Sequence, residues 1–245
     1  MSPANVICVK WGSKYGPDYV NKLHSMVRRN LSRPFRFVCF TDDAAGIDAD
    51  IETRPLPLTG IPEFDDREPW TRAHGWLKVT SFASDLAGLE GPTLFLDLDI
   101  VVVGPLDPFF DPPGRFLVIK EWDKKDATGN TSVYRFEAGG CTDLLDHLKG
   151  NLVSAQRDFR NEQEFVTDYF HKAGELVYWP KGWCVSFKRH CIPWPLGWFG
   201  AARIPEGARV VTFHGKPNPH DVIAGKSGKW YRRVKPVAWV DELWR

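Results

Sequence analysis

The chain opens on a short unbroken apolar run, Val6-Ile7-Cys8-Val9, closed by Trp11-Gly12. A continuous run of this length reads as a buried parallel strand feeding a loop. Pro17-Asp18 then open a stretch in which Tyr19, Leu23, Met26, Val27 and Leu31 recur at helical spacing, until Pro34 ends it. Phe35 to Phe40 makes a second strand, stopping at Thr41-Asp42-Asp43. Strand, helix and strand within about 40 residues is the rhythm of an open parallel sheet with helical crossovers.

Regularity lapses over residues 51–68, where prolines and acids predict an irregular excursion. Trp70, Ala73, Leu77, Phe82 and Leu86 predict a helix over 70–87, with Arg72 and Lys78 on its polar side. Gly91-Pro92 punctuates before Thr93-Leu94-Phe95-Leu96-Asp97-Leu98-Asp99, a strand that runs from apolar residues straight into acids. Phe116 to Ile119 and Ser132 to Phe136 predict two further strands, the second preceded by Thr128-Gly129-Asn130-Thr131, which reads as flexible. Helices are expected near 139–149 and 161–172. Beyond Gly174 the helical period fades into short strands and loops over 176–213, and Ala208 to Phe213 runs into His214-Gly215-Lys216-Pro217. With no repeat, low-complexity tract or obvious linker, the pattern predicts an α/β fold with a mostly parallel central sheet. One domain over residues 1–245 is the simplest division, regular over 1–100 and irregular over 101–245.

Composition adjusts this picture in three places. Of 245 residues, 43% are hydrophobic, enough for a substantial core. Lys and Arg number 32 against 31 Asp and Glu, a net charge of +1, so there is no long-range pull on nucleic acid or anionic lipid. The five cysteines, Cys8, Cys39, Cys141, Cys184 and Cys191, are odd in number and match no zinc or redox spacing. They read as reduced core thiols. The N-terminus is too poor in apolar residues for a signal peptide, and no segment approaches the roughly 18 apolar residues of a membrane span. A cytoplasmic protein with no transmembrane segment is the expectation. Eleven Trp and nineteen Pro suit a rigid pocket lined by aromatic rings.

The chemistry begins with Asp97 and Asp99. At period two on an extended chain they point to one side, roughly 6.6 Å apart. Two carboxylates at the end of a buried strand repel each other, and a hard divalent cation resolves that conflict while keeping positions open for phosphate oxygens. The bland alternative is a solvated turn that merely ends the strand. In His214-Gly215-Lys216-Pro217, the imidazole suits the same metal and the lysine suits a diphosphate, against the alternative of an ordinary loop. Asp97, Asp99 and His214 together make a mixed carboxylate–imidazole set of the kind Mn²⁺ accepts, with Mg²⁺ second because it prefers oxygen throughout. Trp11-Gly12-Ser13 after the first strand lacks a G-x-G-x-x-G turn, which disfavours a nicotinamide enzyme. A metal-dependent nucleotidyltransferase or phosphohydrolase, and a non-catalytic nucleotide- or carbohydrate-binding module, are the competing classes.

The strand-borne Asp97-Leu98-Asp99, the intervening Asn130-Thr131-Ser132-Val133 and the late His214-Gly215-Lys216-Pro217 resemble the GT-A glycosyltransferases. The branch they are most similar to is the glycogenin and bacterial lipopolysaccharide glycosyltransferase group. The resemblance implies a retaining enzyme that takes a nucleotide-sugar, UDP-linked by preference, with Mn²⁺, and passes the sugar to a saccharide, protein or lipid-linked acceptor. It makes residues 1–100 the nucleotide-binding half, and 101–245 the half that completes the metal site and receives the acceptor. Asp97 would reach both metal and donor, Asp99 and His214 would ligate the metal, and Lys216 would grip the diphosphate. Asn130 would contact the donor sugar or lie near the acceptor. Glu162-Gln163 falls where the family commonly has Asp-Gln near the reacting carbon, and the longer Glu departs from it. The compressed His-Gly-Lys-Pro departs from the family's His-x-x-Gly-x-x-Lys-Pro. Trp11 or Tyr15 would stack on the base and Asp42 or Asp43 accept from its N–H edge, unless Trp11 lids the sheet and the acids cap the next segment. Arg72 and Lys78 would face the donor, or a solvated surface. Trp179, Trp183, Trp194 and Trp198 fit an acceptor platform or the core. Lys188-Arg189-His190 would meet phosphate, or remain solvated.

Overall fold

The computed structural model describes residues 3–65, 72–193, 200–226 and 235–245, with the side chains of residues 63 and 72–75 outside that description. The main-sheet strands are β1 (Ala4–Lys10), β2 (Phe35–Thr41), β3 (Glu52–Arg54), β4 (Gly91–Leu96), β6 (Phe116–Lys120), β7 (Gly129–Ala138) and β8 (Leu176–Tyr178). They lie in the order β3-β2-β1-β4-β7-β6-β8. A second sheet joins β5 (Ile100–Val102), β9 (Cys184–Ser186) and β10 (Val210–Thr212) in the order β5-β10-β9. Within the main sheet, β7 alone among the described strands runs against its neighbours.

Alternation divides the core between the two faces. Val6 and Cys8 of β1, Phe37 and Cys39 of β2, and Leu94 and Leu96 of β4 join one buried cluster. Ile7, Val9, Val38, Phe40 and Phe95 join the other. A strand covered on both faces has no solvent side to mark with polar residues, hence the unbroken apolar runs. The first face is covered by α1 (Pro17–Asn30), the small sheet, α5 (Pro219–Ile223) and α6 (Ala238–Leu243). The second is covered by a 3₁₀ helix over Arg72–Phe82, α3 (Thr142–Asp158) and α4 (Glu162–Lys172). All five cysteines are free and buried.

Several expectations are corrected. The excursion after β2 contains the edge strand β3 and the four-residue α2 (Pro62–Asp65). The helix expected over 70–87 is 3₁₀ and ends at Phe82; Trp70 lies outside the described residues. Its i, i+3 period still places Trp76, Val79 and Phe82 in the core. Gly129-Asn130-Thr131 is not flexible but the start of the ten-residue β7, because it pairs with the end of β6 across a register shift.

Candidate active site

Between Leu96 and Ile100 the chain changes sheets, and Asp97, Leu98 and Asp99 form the turn. The acids are therefore not at period two on a strand, as the pattern suggested. Extended backbone stops at Leu96 because β5 must leave the main sheet to pair with β10. Leu98 is drawn into the core. The Asp97 N–H donates to the Ser132 carbonyl at 2.9 Å, and the Phe213 N–H donates to the Asp99 carbonyl at 3.0 Å. One acid is thus anchored to each sheet.

On the Asp97 side the partners are charged and buried. The Lys78 ammonium lies 2.8 Å from Asp97 Oδ1 and 3.7 Å from Glu162 Oε1, and donates to the Thr131 carbonyl at 3.2 Å. Burial alone would lower the Lys78 pKa, but Asp97 and Glu162 outweigh it and hold the amine above its ordinary value. The solvated-face reading of Lys78 fails, since its helix turns it under β4 and β7. The Thr131 hydroxyl donates to Glu162 Oε1 at 3.0 Å, and the Thr131 N–H to Gln163 Oε1 at 3.1 Å. Asn130 Nδ2 and Gln163 Nε2 donate to the same Glu121 oxygen, at 3.1 and 3.5 Å. The antiparallel β7 makes this possible, because Val133 lies opposite Leu96 and the preceding residues of β7 run past the end of β4 beside the end of β6. Asn161 caps α4 by accepting from the Glu164 N–H, which aims Glu162 and Gln163 at that junction.

On the Asp99 side the partners are neutral. The Tyr15 hydroxyl donates to Asp99 Oδ2 at 2.6 Å, and its ring lies 4.8 Å from that of Tyr19. Burial, and then the charge of Asp97, push the Asp99 carboxyl up to about 6. Burial, followed by the charge of Asp99, raises the Tyr15 hydroxyl well above its usual value. Trp11 is half-buried and packs on the second core face. Asp42 Oδ2 accepts from the Gly12 N–H at 2.8 Å, where Gly12 turns with φ 58°. Both residues thus brace the loop after β1.

Thr212 lies opposite Ile100 in the β10–β5 pairing, which brings the His214 backbone beside the acid turn. Its Nε2 shares a 2.6 Å hydrogen bond with Ser186 Oγ, and its ring stacks on Trp122 at 5.5 Å and 23°. Lys188 donates to the His214 carbonyl. Burial, and then the Lys188 cation, lower the His214 pKa and favour the neutral imidazole. Lys216 is exposed on the following loop. The basic triplet is not simply solvated: besides Lys188, Arg189 pairs with Asp123, and His190 Nδ1 accepts from the Ser186 N–H at 3.0 Å.

Two adjacent carboxylates, one raised by the other, fit a hard divalent cation, and a neutral imidazole on the neighbouring strand end is a chemically suitable third donor. Among the described residues, no three His, Cys, Asp or Glu side chains are gathered as a metal site. The acids are together on one turn, while the imidazole is engaged by Ser186. Arg72 opens the 3₁₀ helix with its side chain outside the description, as are Trp194 and Trp198. Trp179 is core, donating to the Val133 carbonyl at 3.0 Å, and Trp183 packs on Phe109 beneath Arg209. Those two therefore form no open acceptor platform. Sequence reasoning missed Glu121, Trp122 and Ser186, and gave Thr131 no role although it lies in the Asn130-Thr131-Ser132-Val133 motif. Glu121 carried a usable signal, an acid one residue past the apolar run of β6; Trp122 and Ser186 carried none.

No protein-family model matches the chain, and no curated protein matches it in sequence. Solved structures do. The galactosyltransferase LgtC, in complex with donor and acceptor sugar analogs, is similar with a TM-score of 0.61 at 12% identity, over 88% of this chain and 88% of that one. The glycosyltransferase GlyE of Streptococcus pneumoniae TIGR4 is similar with a TM-score of 0.61 at 11% identity, over 88% of this chain and 56% of GlyE. The chain has the GT-A fold. In this GT-A frame the cluster sits beyond the carboxyl ends of β1, β2 and β4, where open α/β sheets receive ligands. No helix among the described residues is long and apolar enough to cross a membrane.

Proposed function

We propose that the chain is an enzyme that transfers a glycosyl group from a nucleoside-diphosphate sugar, preferentially UDP-linked, to an acceptor hydroxyl with retention of configuration. The observation that carries this reading is the convergence of Asp97, Lys78, Glu162, Gln163 and Asn130, from separate elements, at the ligand-receiving edge of a GT-A fold. The LgtC complex with donor and acceptor sugar analogs supports a sugar donor and a saccharide acceptor; a protein or lipid-linked acceptor is the wider expectation.

Asp97, Asp99 and His214 would hold Mn²⁺, or Mg²⁺ as the alternative, which supplies positive charge to a departing diphosphate. Lys216 stands on the exposed loop next to His214, suited to the same leaving group, and its loss should lower kcat more than it raises donor KM. Glu162 is poorly suited to be a nucleophile, because Oε1 already accepts from Thr131 and faces Lys78. Its work is to hold Lys78 against Asp97. Retention would then come from same-face attack rather than from an enzyme-bound sugar.

The test is incubation with a panel of nucleoside-diphosphate sugars and Mn²⁺, following the nucleotide released. Release of UDP that stops on chelation and in Asp99→Asn is the expected result. Release of pyrophosphate would favour a nucleotidyltransferase, and turnover with none of the panel would reject the transferase reading. Calorimetry with Mn²⁺ should show UDP binding more tightly than ADP; equal or tighter ADP binding rejects the uracil preference.

A further inference from the structure

The side chain that would complete the cation site has its Nε2 committed to a buried hydroxyl. Ser186 is wholly buried at the end of β9, with Thr212 of β10 directly opposite. Its hydroxyl meets His214 Nε2 at 2.6 Å from the buried side of a half-buried imidazole. The imidazole also lies flat on Trp122. The backbone around it is held independently, by the Phe213 N–H on Asp99 and by Lys188 on the His214 carbonyl. The freedom that remains to His214 is rotation of its own side chain.

We propose that Ser186 parks the His214 imidazole, and that this hydrogen bond competes with cation binding at the Asp97–Asp99 turn. The inference rests on the cation reading given above. Ser186 has a second conceivable role, as the outer partner that orients a ligating histidine through its other nitrogen. In that role Nδ1 would face the cation while Nε2 stays on Ser186. Among the described residues the three donors are not gathered while the bond is intact, which favours parking over orienting. Ser186 is thus a positioning residue that acts on the resting state, and the hydroxyl is given up when the imidazole joins the acids.

The sign of one substitution decides between the roles. Ser186→Ala removes the competing hydroxyl without touching Asp97, Asp99 or the backbone N–H that serves His190. Titration with Mn²⁺ alone, followed by the electron paramagnetic resonance of the free ion, should show affinity rising roughly three- to tenfold, the worth of one net hydrogen bond. In a His214→Ala background the same substitution should change nothing, because no imidazole remains to be parked. Weaker Mn²⁺ binding in Ser186→Ala would establish the orienting role and overturn the proposal, as would unchanged affinity. Asp99→Asn separates the two layers of argument. If Asp99→Asn binds Mn²⁺ as tightly as the wild type, the cation site itself is wrong. If Asp99→Asn loses binding while Ser186→Ala matches the wild type, only the parking of His214 falls.

Discussion

The seven-stranded sheet and the three-stranded sheet meet at the Asp97–Asp99 turn and supply it with different kinds of partner. From the main sheet come long elements: the ten-residue β7, the eleven-residue 3₁₀ helix and the eleven-residue α4. They bring a cation, Lys78, shared between two acids and backed by Thr131 and Gln163. From the small sheet, whose strands have three residues each, comes one imidazole held by a single hydroxyl. Asp99, beside it, is also met by one hydroxyl, that of Tyr15. A buried ion pair is costly to break from one side, whereas a neutral hydrogen bond contributes only about 1 kcal/mol net. The main-sheet side is built to stay, and the small-sheet side is built to exchange.

Matched core truncations test that division most strongly. Phe116 stacks on Phe170 under the main sheet, with ring centroids 4.3 Å apart, and Phe213 stacks on Phe187 under the small one at 4.6 Å. Phe116→Ala and Phe213→Ala should each cost roughly 3–5 kcal/mol in denaturant unfolding. Mn²⁺ affinity should fall only in Phe213→Ala, because losing the ring loosens the strand end whose backbone N–H tethers Asp99. Equal losses of affinity in both would erase the comparison.

Lys78→Met should cost about 3–5 kcal/mol, because it leaves Asp97 and Glu162 facing each other without a cation. Adding Asp97→Asn should recover part of the loss, and no recovery in unfolding experiments would mean that Lys78 acts only by packing.

Asp99 provides a pH test of the exchangeable side in chelated, metal-free protein. Its folded pKa of about 6 lies above the unfolded value, so its stabilising contribution is present below about pH 4 and lost as pH rises through 6. Asp99→Asn should therefore raise the stability of the metal-free protein at pH 8, by up to about 3 kcal/mol, and leave it unchanged below pH 4. Thermal unfolding at the two pH values checks the sign.

The smallest effect belongs far from the turn, at the β2–β3 edge. Hydrogen bonding to Arg36 holds the Glu52 carboxyl down to about 2, so its contribution is present above the ordinary range and lost as pH falls toward 2. The pair is partly exposed, and Glu52→Gln should cost only about 0.5–1 kcal/mol at neutral pH, with Mn²⁺ binding untouched. A cost that persists at pH 2 would remove the electrostatic explanation.

Much of the scaffold was legible in the chain. β1, α1, β2, β6 and α4 appear where apolar spacing put them, while α3 starts as expected but runs on past residue 149 to Asp158. β3 was hidden because it is a three-residue edge strand without an apolar run. The 3₁₀ character of residues 72–82 was hidden because both helix types place similar residues inward.

For the site, the sequence by itself supplied the candidate groups: two acids at the end of an apolar run, a late His-Gly-Lys-Pro, and a Glu-Gln pair opening a helix. It could not decide which of them touch. Lys78 reaches Asp97 only because β7 runs antiparallel beside β4 and α4 packs over their junction. Ser186 reaches His214, 28 residues away in the chain, only because β9 and β10 pair in parallel. Residue type and spacing record local geometry and chemistry. Hydrogen bonds between segments depend on strand order and register, which are set by burying the whole sheet at once.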